Sequence, residues 1–316
     1  MAAQTSMSSS KHNHAPAKKP VLYYTDHYGI SLPSEHKFPI PKYKKLRERL
    51  TQESIFEFVP AEFASAKDLE RTHHAGYIRK FIAGELSEQE MRRIGFPWSQ
   101  GLVERSLASV GGTLAATEDA IKHGWGGSLA GGTHHAYHAE GSGFCVFNDI
   151  AVAIHKLFAQ GRVERAAVVD LDVHQGDGTA QIFAGEQNVF TLSLHGKNNF
   201  PFRKQNSRLD VELTDGTGDE EYLSALDRIL PDILAFRPRI IFYQSGVDAL
   251  ESDSLGRLSL TAQGMKDRDR RVFTAVIANK IPLVITLGGG YSKPIELTVE
   301  AHASTYLLAA EMFGRK

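Results

Sequence analysis

Along the chain, short runs of apolar and β-branched residues alternate with longer stretches in which apolar residues recur every three or four positions. The short runs predict strands over residues 21–25, 56–60, 128–131, 166–172, 189–195, 240–247 and 283–287. Several are apolar at nearly every position rather than every second one, which is how a strand covered on both faces looks. The helical spacing covers 102–123, where Val103, Leu107, Val110, Leu114 and Ala115 share a face, and 149–160, with Ile150, Ala153, Ile154 and Leu157. Helices are also predicted over 220–236, 261–279 and 294–313. A Thr cap opens the second of these, and a proline opens the third, where its missing N–H costs nothing. Alternation of this kind predicts an α/β fold: one domain built on a mainly parallel sheet flanked by helices on both faces. From Pro20 onward there is no linker and no repeat, so residues 20–316 are expected to form that domain. Residues 1–19 are rich in Ser, Ala, Lys and His and carry neither an acidic residue nor an apolar run. They are expected to be a disordered tail rather than a secretory leader.

Composition narrows the class without naming it. The 316 residues are 42% hydrophobic and 23% charged, ordinary values for a globular enzyme. Lys and Arg total 36 against 37 Asp and Glu, so no basic field is available to grip nucleic acid through its phosphates. The longest apolar stretches, such as 281–287, are strand-sized and too short to cross a bilayer. Cys145 is the single cysteine, so no disulfide forms within the chain, which fits a reducing compartment. Cytoplasm is the expected location, with the nucleus as the alternative.

In open parallel sheets ligands bind beyond the carboxyl ends of the strands, and polar residues collect there. Gly131-Gly132-Thr133-His134-His135 follows one predicted strand, and Asp170 to Gly178 follows a second. Ser245-Gly246-Val247-Asp248 follows a third, and Gly288-Gly289-Gly290-Tyr291 a fourth. Strand alternation would place Asp170, Asp172 and His174 on one side. Asp172 and His174 make a natural beginning for a metal site, and Asp248 is the best candidate for a third ligand. Two carboxylates and one imidazole would leave an open coordination position, as catalytic sites require; such a donor set suits Zn²⁺, Fe²⁺ or Co²⁺. A carboxylate fixes the tautomer of a histidine and raises its basicity. His134 with Asp170 and His135 with Asp177 are therefore read as two dyads. Tyr291, beside a metal, could donate its hydroxyl to an oxyanion.

Five stretches, in this order along the chain, carry a specific resemblance. They are Gly131-Gly132-Thr133-His134-His135-Ala136, Gly143-Phe144-Cys145-Val146-Phe147-Asn148-Asp149, Asp170-Leu171-Asp172-Val173-His174-Gln175-Gly176-Asp177-Gly178-Thr179, Ser245-Gly246-Val247-Asp248 and Gly288-Gly289-Gly290-Tyr291. Together they resemble the histone deacetylase superfamily with its arginase-like α/β fold, over essentially the whole chain from Val21. The stretches 35–43, 95–98 and 256–261 look most similar to the compact class IV branch and its bacterial relatives. The resemblance implies zinc on Asp172, His174 and Asp248, His135 as main proton shuttle with His134 assisting electrostatically, and Tyr291 on the carbonyl oxygen. It implies a narrow tunnel for the acyl-lysine stem at Gly143, Phe144 and Phe200. It also implies a structural potassium ion at Asp170, Asp172, His174, Ser193 and Leu194.

The function expected from this likeness is zinc-dependent removal of acetyl or longer acyl groups from lysine side chains of proteins. A small-molecule amidohydrolase acting on acetylpolyamines would share every catalytic residue, and a preference for long acyl chains would need an apolar cavity beyond the metal. A non-catalytic acyl-lysine binding module is disfavoured because the set is intact. A two-metal, arginase-like site would need more Asp ligands than Asp248 alone supplies after the third strand. The remaining residues get structural expectations: Cys145 a small packed thiol, Gln175 not a ligand, His73, His74, His138 and His195 packed or loop histidines, and Arg268, Arg270 and Arg271 on a helix surface.

Overall fold

The computed structural model describes residues 19–314, so the expected tail lies outside the described residues except at its last position. Eight strands form one sheet, all parallel: β1 (Val21–Tyr24), β2 (Glu57–Pro60), β3 (Trp125–Ser128), β4 (Ala166–Asp170), β5 (Val189–Gly196), β6 (Leu209–Leu213), β7 (Ile241–Gln244) and β8 (Leu283–Thr286). Their spatial order is β2-β1-β3-β8-β7-β4-β5-β6. The helices are α1 (Pro41–Thr51), α2 (Ala66–Leu69), α3 (Ala75–Ala83), α4 (Glu88–Ile94), α5 (Gln100–His123), α6 (Asp149–Ala159), α7 (Asp177–Ile182), α8 (Asp219–Ala235), α9 (Ala262–Ala278) and α10 (Ile295–Phe313).

Adjacent residues of the central strands feed opposite cores, which explains their unbroken apolar runs. Ala167, Val169, Ile241, Tyr243, Leu283 and Ile285 pack with α1, α8, α9 and α10. Their neighbours Ala166, Val168, Phe242 and Val284 pack with Ala116 and Ala120 of α5 and with Ile150, Ala153, Ile154 and Leu157 of α6. A third cluster joins α3, α4 and the start of α5 to Phe147 and Val152 beside the strand ends.

Local signals place the helix ends. The Ser99 side chain accepts the Leu102 N–H at the start of α5, and Gly124 closes it with φ 92°. Asn148 accepts the Ala151 N–H for α6, and Thr261 accepts that of Gly264 for α9, as N-caps do.

Three sequence expectations need correction. β3 occupies Trp125–Ser128 rather than 128–131. Its Gly126 and Gly127 hide the strand from a propensity reading, yet a Cβ there would strike Ala116 O at 2.0 Å and Leu22 Cδ2 at 2.7 Å. β4 stops at Asp170, so Asp172 and His174 are not arranged by pleating. The Asp172 N–H donates to Asp170 Oδ1 at 3.2 Å and the His174 N–H to Asp172 Oδ1 at 3.1 Å, successive aspartate turns that present the side chains. Arg268 does not lie on a helix surface. It is fully buried, donating to the carbonyls of Leu171, Ser245 and Gly246 and paired with Asp269 at 2.8 Å.

Candidate active site

The four strand ends singled out by their polar residues belong to four neighbouring strands, β3, β8, β7 and β4, at the centre of the sheet. Loops more than 100 residues apart in sequence therefore open onto one place. One ligand atom each from Asp172, His174 and Asp248 lies within 4.8 Å of the others, and all three residues are buried. Among the described residues this is the single group of three His, Cys, Asp or Glu that meets so closely. Backbone donors fix one oxygen of each carboxylate: Gly289 N–H holds Asp172 Oδ2 at 2.7 Å, and Val173 N–H holds Asp248 Oδ1 at 2.9 Å. The other oxygens face His174 Nδ1, at 3.1 Å from Asp172 and 3.0 Å from Asp248.

That arrangement fits a metal ion. One imidazole nitrogen offers at most one proton to two converging carboxylates, while a cation satisfies all three donors together. Burial and the neighbouring charge of Asp172 push Asp248 up to about 7, so two anions here call for a positive partner. Glycine is required where the backbone passes these groups. A Cβ at Gly246 would lie 2.2 Å from Asp172 Oδ2, and one at Gly289 would lie 1.9 Å from Asp248 Oδ2.

Both expected dyads are present. His134 Nδ1 is 2.7 Å from Asp170 Oδ2 and His135 Nδ1 is 2.6 Å from Asp177 Oδ1, with all four residues buried. Their electrostatics differ. Burial opposes charge on His134, but the Asp170 and Asp172 carboxylates outweigh it and push the imidazole up to about 9. Burial and the nearby His134 hold His135 down to about 4. The surroundings thus favour the charged form on the His134 ring and the neutral form on the His135 ring. The two rings sit 4.1 Å apart, and His135 is 6.0 Å from His174.

Tyr291 lies 6.3 Å from the His174 ring, and burial pushes its hydroxyl well above the ordinary tyrosine value, so the group remains a donor. Phe144 is 6.5 Å from Tyr291, and Phe200 stands edge-on to His135 at 4.9 Å. Gly143, with φ 53°, lies between His135 and Phe200, where a Cβ would come within 2.7 Å of the imidazole. The cavity at this site has a volume of about 70 Å³; Phe38, Tyr43, Phe96 and Leu102 line it together with Arg105, Ser106, Ser109, His134, His135, His174, Phe144 and Tyr291. For the expected potassium site, Asp170 and Ser193 are directly paired between β4 and β5, and Leu194 follows. The Ser193 hydroxyl meets His195 Nδ1 at 2.9 Å. Cys145 is buried, its thiol pushed well up by burial, which agrees with a packed side chain.

Four residues were not singled out by the sequence reading. Asp149 accepts the N–H groups of Gly132 and Thr133 at 2.9 and 2.7 Å and the Thr113 hydroxyl at 2.6 Å, fixing the loop that carries both histidines. Asp253 accepts the Tyr291 N–H at 2.6 Å. Lys42, fully buried, donates to the carbonyls of Gly288 and Gly290 at 3.1 and 3.4 Å. Tyr137 donates to Asp177. Asp149 and Lys42 do lie in quoted stretches, but nothing local distinguishes them from ordinary surface charges.

Comparison with known proteins agrees with this geometry. Residues 36–307 match the histone deacetylase domain. The chain is 40% identical over 298 residues to an uncharacterized protein of Picosynechococcus, covering 93% of this chain and 99% of that one. It is 32% identical over 295 residues to histone deacetylase 2 of Arabidopsis thaliana, covering 88% and 76%. A histone deacetylase-like amidohydrolase of Pseudomonas aeruginosa is 34% identical over 254 residues, covering 73% and 65%. With its sheet, its converging strand ends and a domain match over most of its length, the chain belongs to the histone deacetylase family.

Proposed function

We propose that this protein is a zinc-dependent hydrolase that removes acetyl or longer acyl groups from lysine side chains of proteins. The observation that carries the reading is the convergence of the buried Asp172, His174 and Asp248 group, two His–Asp dyads and Tyr291 on one cavity. A divalent metal held by Asp172, His174 and Asp248 would supply Lewis acidity toward the amide carbonyl and the attacking water. His135, neutral at pH 7 with Nδ1 committed to Asp177, takes the water proton at Nε2. His134 keeps its proton and lends positive charge to the transition state. The Tyr291 hydroxyl donates to the developing oxyanion, a contribution of roughly 3 kcal/mol for a well-placed donor. The departing amine recovers a proton from the His135 imidazolium.

Gly143, Phe144 and Phe200 form the wall along the aliphatic stem of the substrate. Phe38, Phe96 and Leu102 in the cavity lining would face an acyl chain, with Arg105, Ser106 and Ser109 as polar neighbours. A potassium ion at Asp170, Ser193 and Leu194, with Asp172 and His174 nearby, would brace the metal-bearing loop. Within the family, the stretches 35–43, 95–98 and 256–261 support placement nearest class IV. With 36 Lys and Arg against 37 Asp and Glu the chain has no net basic field to favour nucleic acid, and among the described residues no helix is long and apolar enough to cross a membrane.

The test is hydrolysis of lysine peptides bearing acetyl or long-chain acyl groups, and of acetylated polyamines, by zinc-loaded and chelator-stripped protein in parallel. Turnover of acyl-lysine peptides that vanishes on stripping and returns with zinc is the expected result. Equal turnover without metal, or none on any substrate with zinc bound, removes the proposal.

A further inference from the structure

Residues 197–208 join β5 to β6 and carry two aromatic side chains with opposite fates. Phe200 turns inward and stands edge-on to His135 at 4.9 Å. Phe202 turns outward and is 89% exposed, whereas no other exposed large apolar side chain among the described residues exceeds the 49% of Phe63. The two phenyl rings are 6.5 Å apart and nearly perpendicular, so the exposed ring lies one aromatic contact out from the phenyl that stands against His135.

This loop is not a loose one. Lys204 Nζ donates to the carbonyls of Asn199 and Pro201 at 2.6 and 2.8 Å, and the Asn199 amide donates to Leu255 O at 2.8 Å. Gln175, next to the metal-site residue His174, clasps Gln205 by both backbone groups: its amide donates to Gln205 O at 2.7 Å and its carbonyl accepts the Gln205 N–H at 2.9 Å. The same amide reaches Asp210 Oδ1 at 2.8 Å. The phenyl group is therefore presented to water by a backbone tied down on both sides of it. A rigid aromatic loses little freedom when something covers it, which is what makes such residues effective contact points. Arg203 follows the ring in sequence and adds a positive charge to this part of the loop, which disfavours a polycation there.

We infer that Phe202 is a specificity-determining contact that packs against an apolar side chain flanking the acylated lysine of a polypeptide substrate. The inference rests on the hydrolase reading and deepens it, favouring a protein over an acylated polyamine, because a free polyamine has no flanking side chain to cover the ring.

The experiment compares wild type with Phe202→Ser and Phe202→Tyr on three probes: an acetyl-lysine hexapeptide with Leu on both sides of the lysine, the same peptide with Gly there, and N1-acetylspermidine. Wild type is expected to prefer the Leu peptide by roughly tenfold in kcat/KM, mostly through KM, the size of effect one buried aromatic contact produces. Phe202→Ser should collapse that preference to about twofold or less, and Phe202→Tyr should keep it. The residue is on the surface, so both variants are expected to fold and to melt as wild type does. A wild-type enzyme that ignores the flank or a preference that survives Phe202→Ser overturns the inference while leaving the acyl-lysine hydrolase reading standing; faster turnover of acetylspermidine than of either peptide overturns the inference and the protein substrate of that reading, leaving only the amide hydrolysis. Absence of turnover on every probe by zinc-loaded wild type overturns both.

Discussion

The Tyr137 hydroxyl donates to Asp177 Oδ2 at 2.7 Å, while the other oxygen of the same carboxylate takes the Nδ1 proton of His135 at 2.6 Å. Burial alone would raise Asp177, but its two partners hold it below the usual carboxylate range. Asp177 is thus shared between the imidazole proposed as the base and a phenol on its other oxygen.

Removing that phenol should be felt at His135. In Tyr137→Phe, one oxygen of a buried carboxylate loses its donor, and the anion becomes a stronger acceptor toward His135. The imidazole becomes more basic, so the acid limb of the kcat/KM profile should move to higher pH, by up to about one pH unit. Metal content should not change. A profile that superimposes on the wild-type curve would show that Tyr137 only packs.

Tyr291→Phe deletes the hydroxyl and leaves the ring between Phe144 and His174. We expect kcat to fall by roughly 10²–10³, as when one oxyanion donor is lost, with metal binding intact by elemental analysis. Activity within a factor of about three of wild type would take Tyr291 out of the oxyanion role.

Arg268 braces the site from behind. Its guanidinium donates to Leu171, Ser245 and Gly246, the backbone that leads into Asp172 and Asp248, and pairs with Asp269. Arg268→Met leaves Asp269 buried with a lost cation and three carbonyls without that donor. A loss of about 3–5 kcal/mol in urea unfolding is expected. A variant as stable as wild type would place the guanidinium elsewhere.

Acid should weaken the fold through its buried neutral histidines. His73 accepts the Asn148 N–H at Nε2 and donates from Nδ1 to Tyr137 O, and burial holds it at about 4. Burial also holds His195 at about 4. Unfolded histidine titrates near 6.5, so between that value and 4 the unfolded chain binds more protons than the folded one. Their stabilisation is complete above about pH 6.5 and is lost as pH falls toward 4, at most roughly 3 kcal/mol for each ring. Urea midpoints at about pH 7.5 and 5 measure it, and the dependence should be shallower in His73→Gln. Equal midpoints at the two pH values would contradict the assignment.

The alternation of strands and helices was legible because burial on two faces leaves a local trace: Ala166 to Val169, Ile241 to Tyr243 and Leu283 to Ile285 are apolar without a break, and each residue has a core to enter. The candidate metal-binding group and the two hydrogen-bonded His–Asp pairs were legible for a similar reason. Aspartates and histidines flanked by glycines are poor material for a strand, so their clustering after strands stood out. β6 was missed because Asp210 and Glu212 interrupt it at the open edge of the sheet. The helices α2, α3, α4 and α7 were missed because they are nine residues or fewer, too short for periodicity to build up, and α1 because its eleven residues hold mostly charged side chains around Tyr43, Leu46 and Leu50, whereas the equally long α6 is apolar along one face.

Tertiary structure decided which residues become neighbours. Sheet order sets β3, β8, β7 and β4 side by side, although β4 follows β3 in sequence and β7 and β8 come much later. From that order it follows that Lys42 reaches Gly288 across 246 positions and Gly289 reaches Asp172 across 117. No local pattern separates a buried lysine that caps two carbonyls from the exposed lysines beside it. Residue type and spacing determined what chemistry this chain can hold; the hydrogen bonds that aim and tune it depend on partners brought together only when the sheet closes in its particular order.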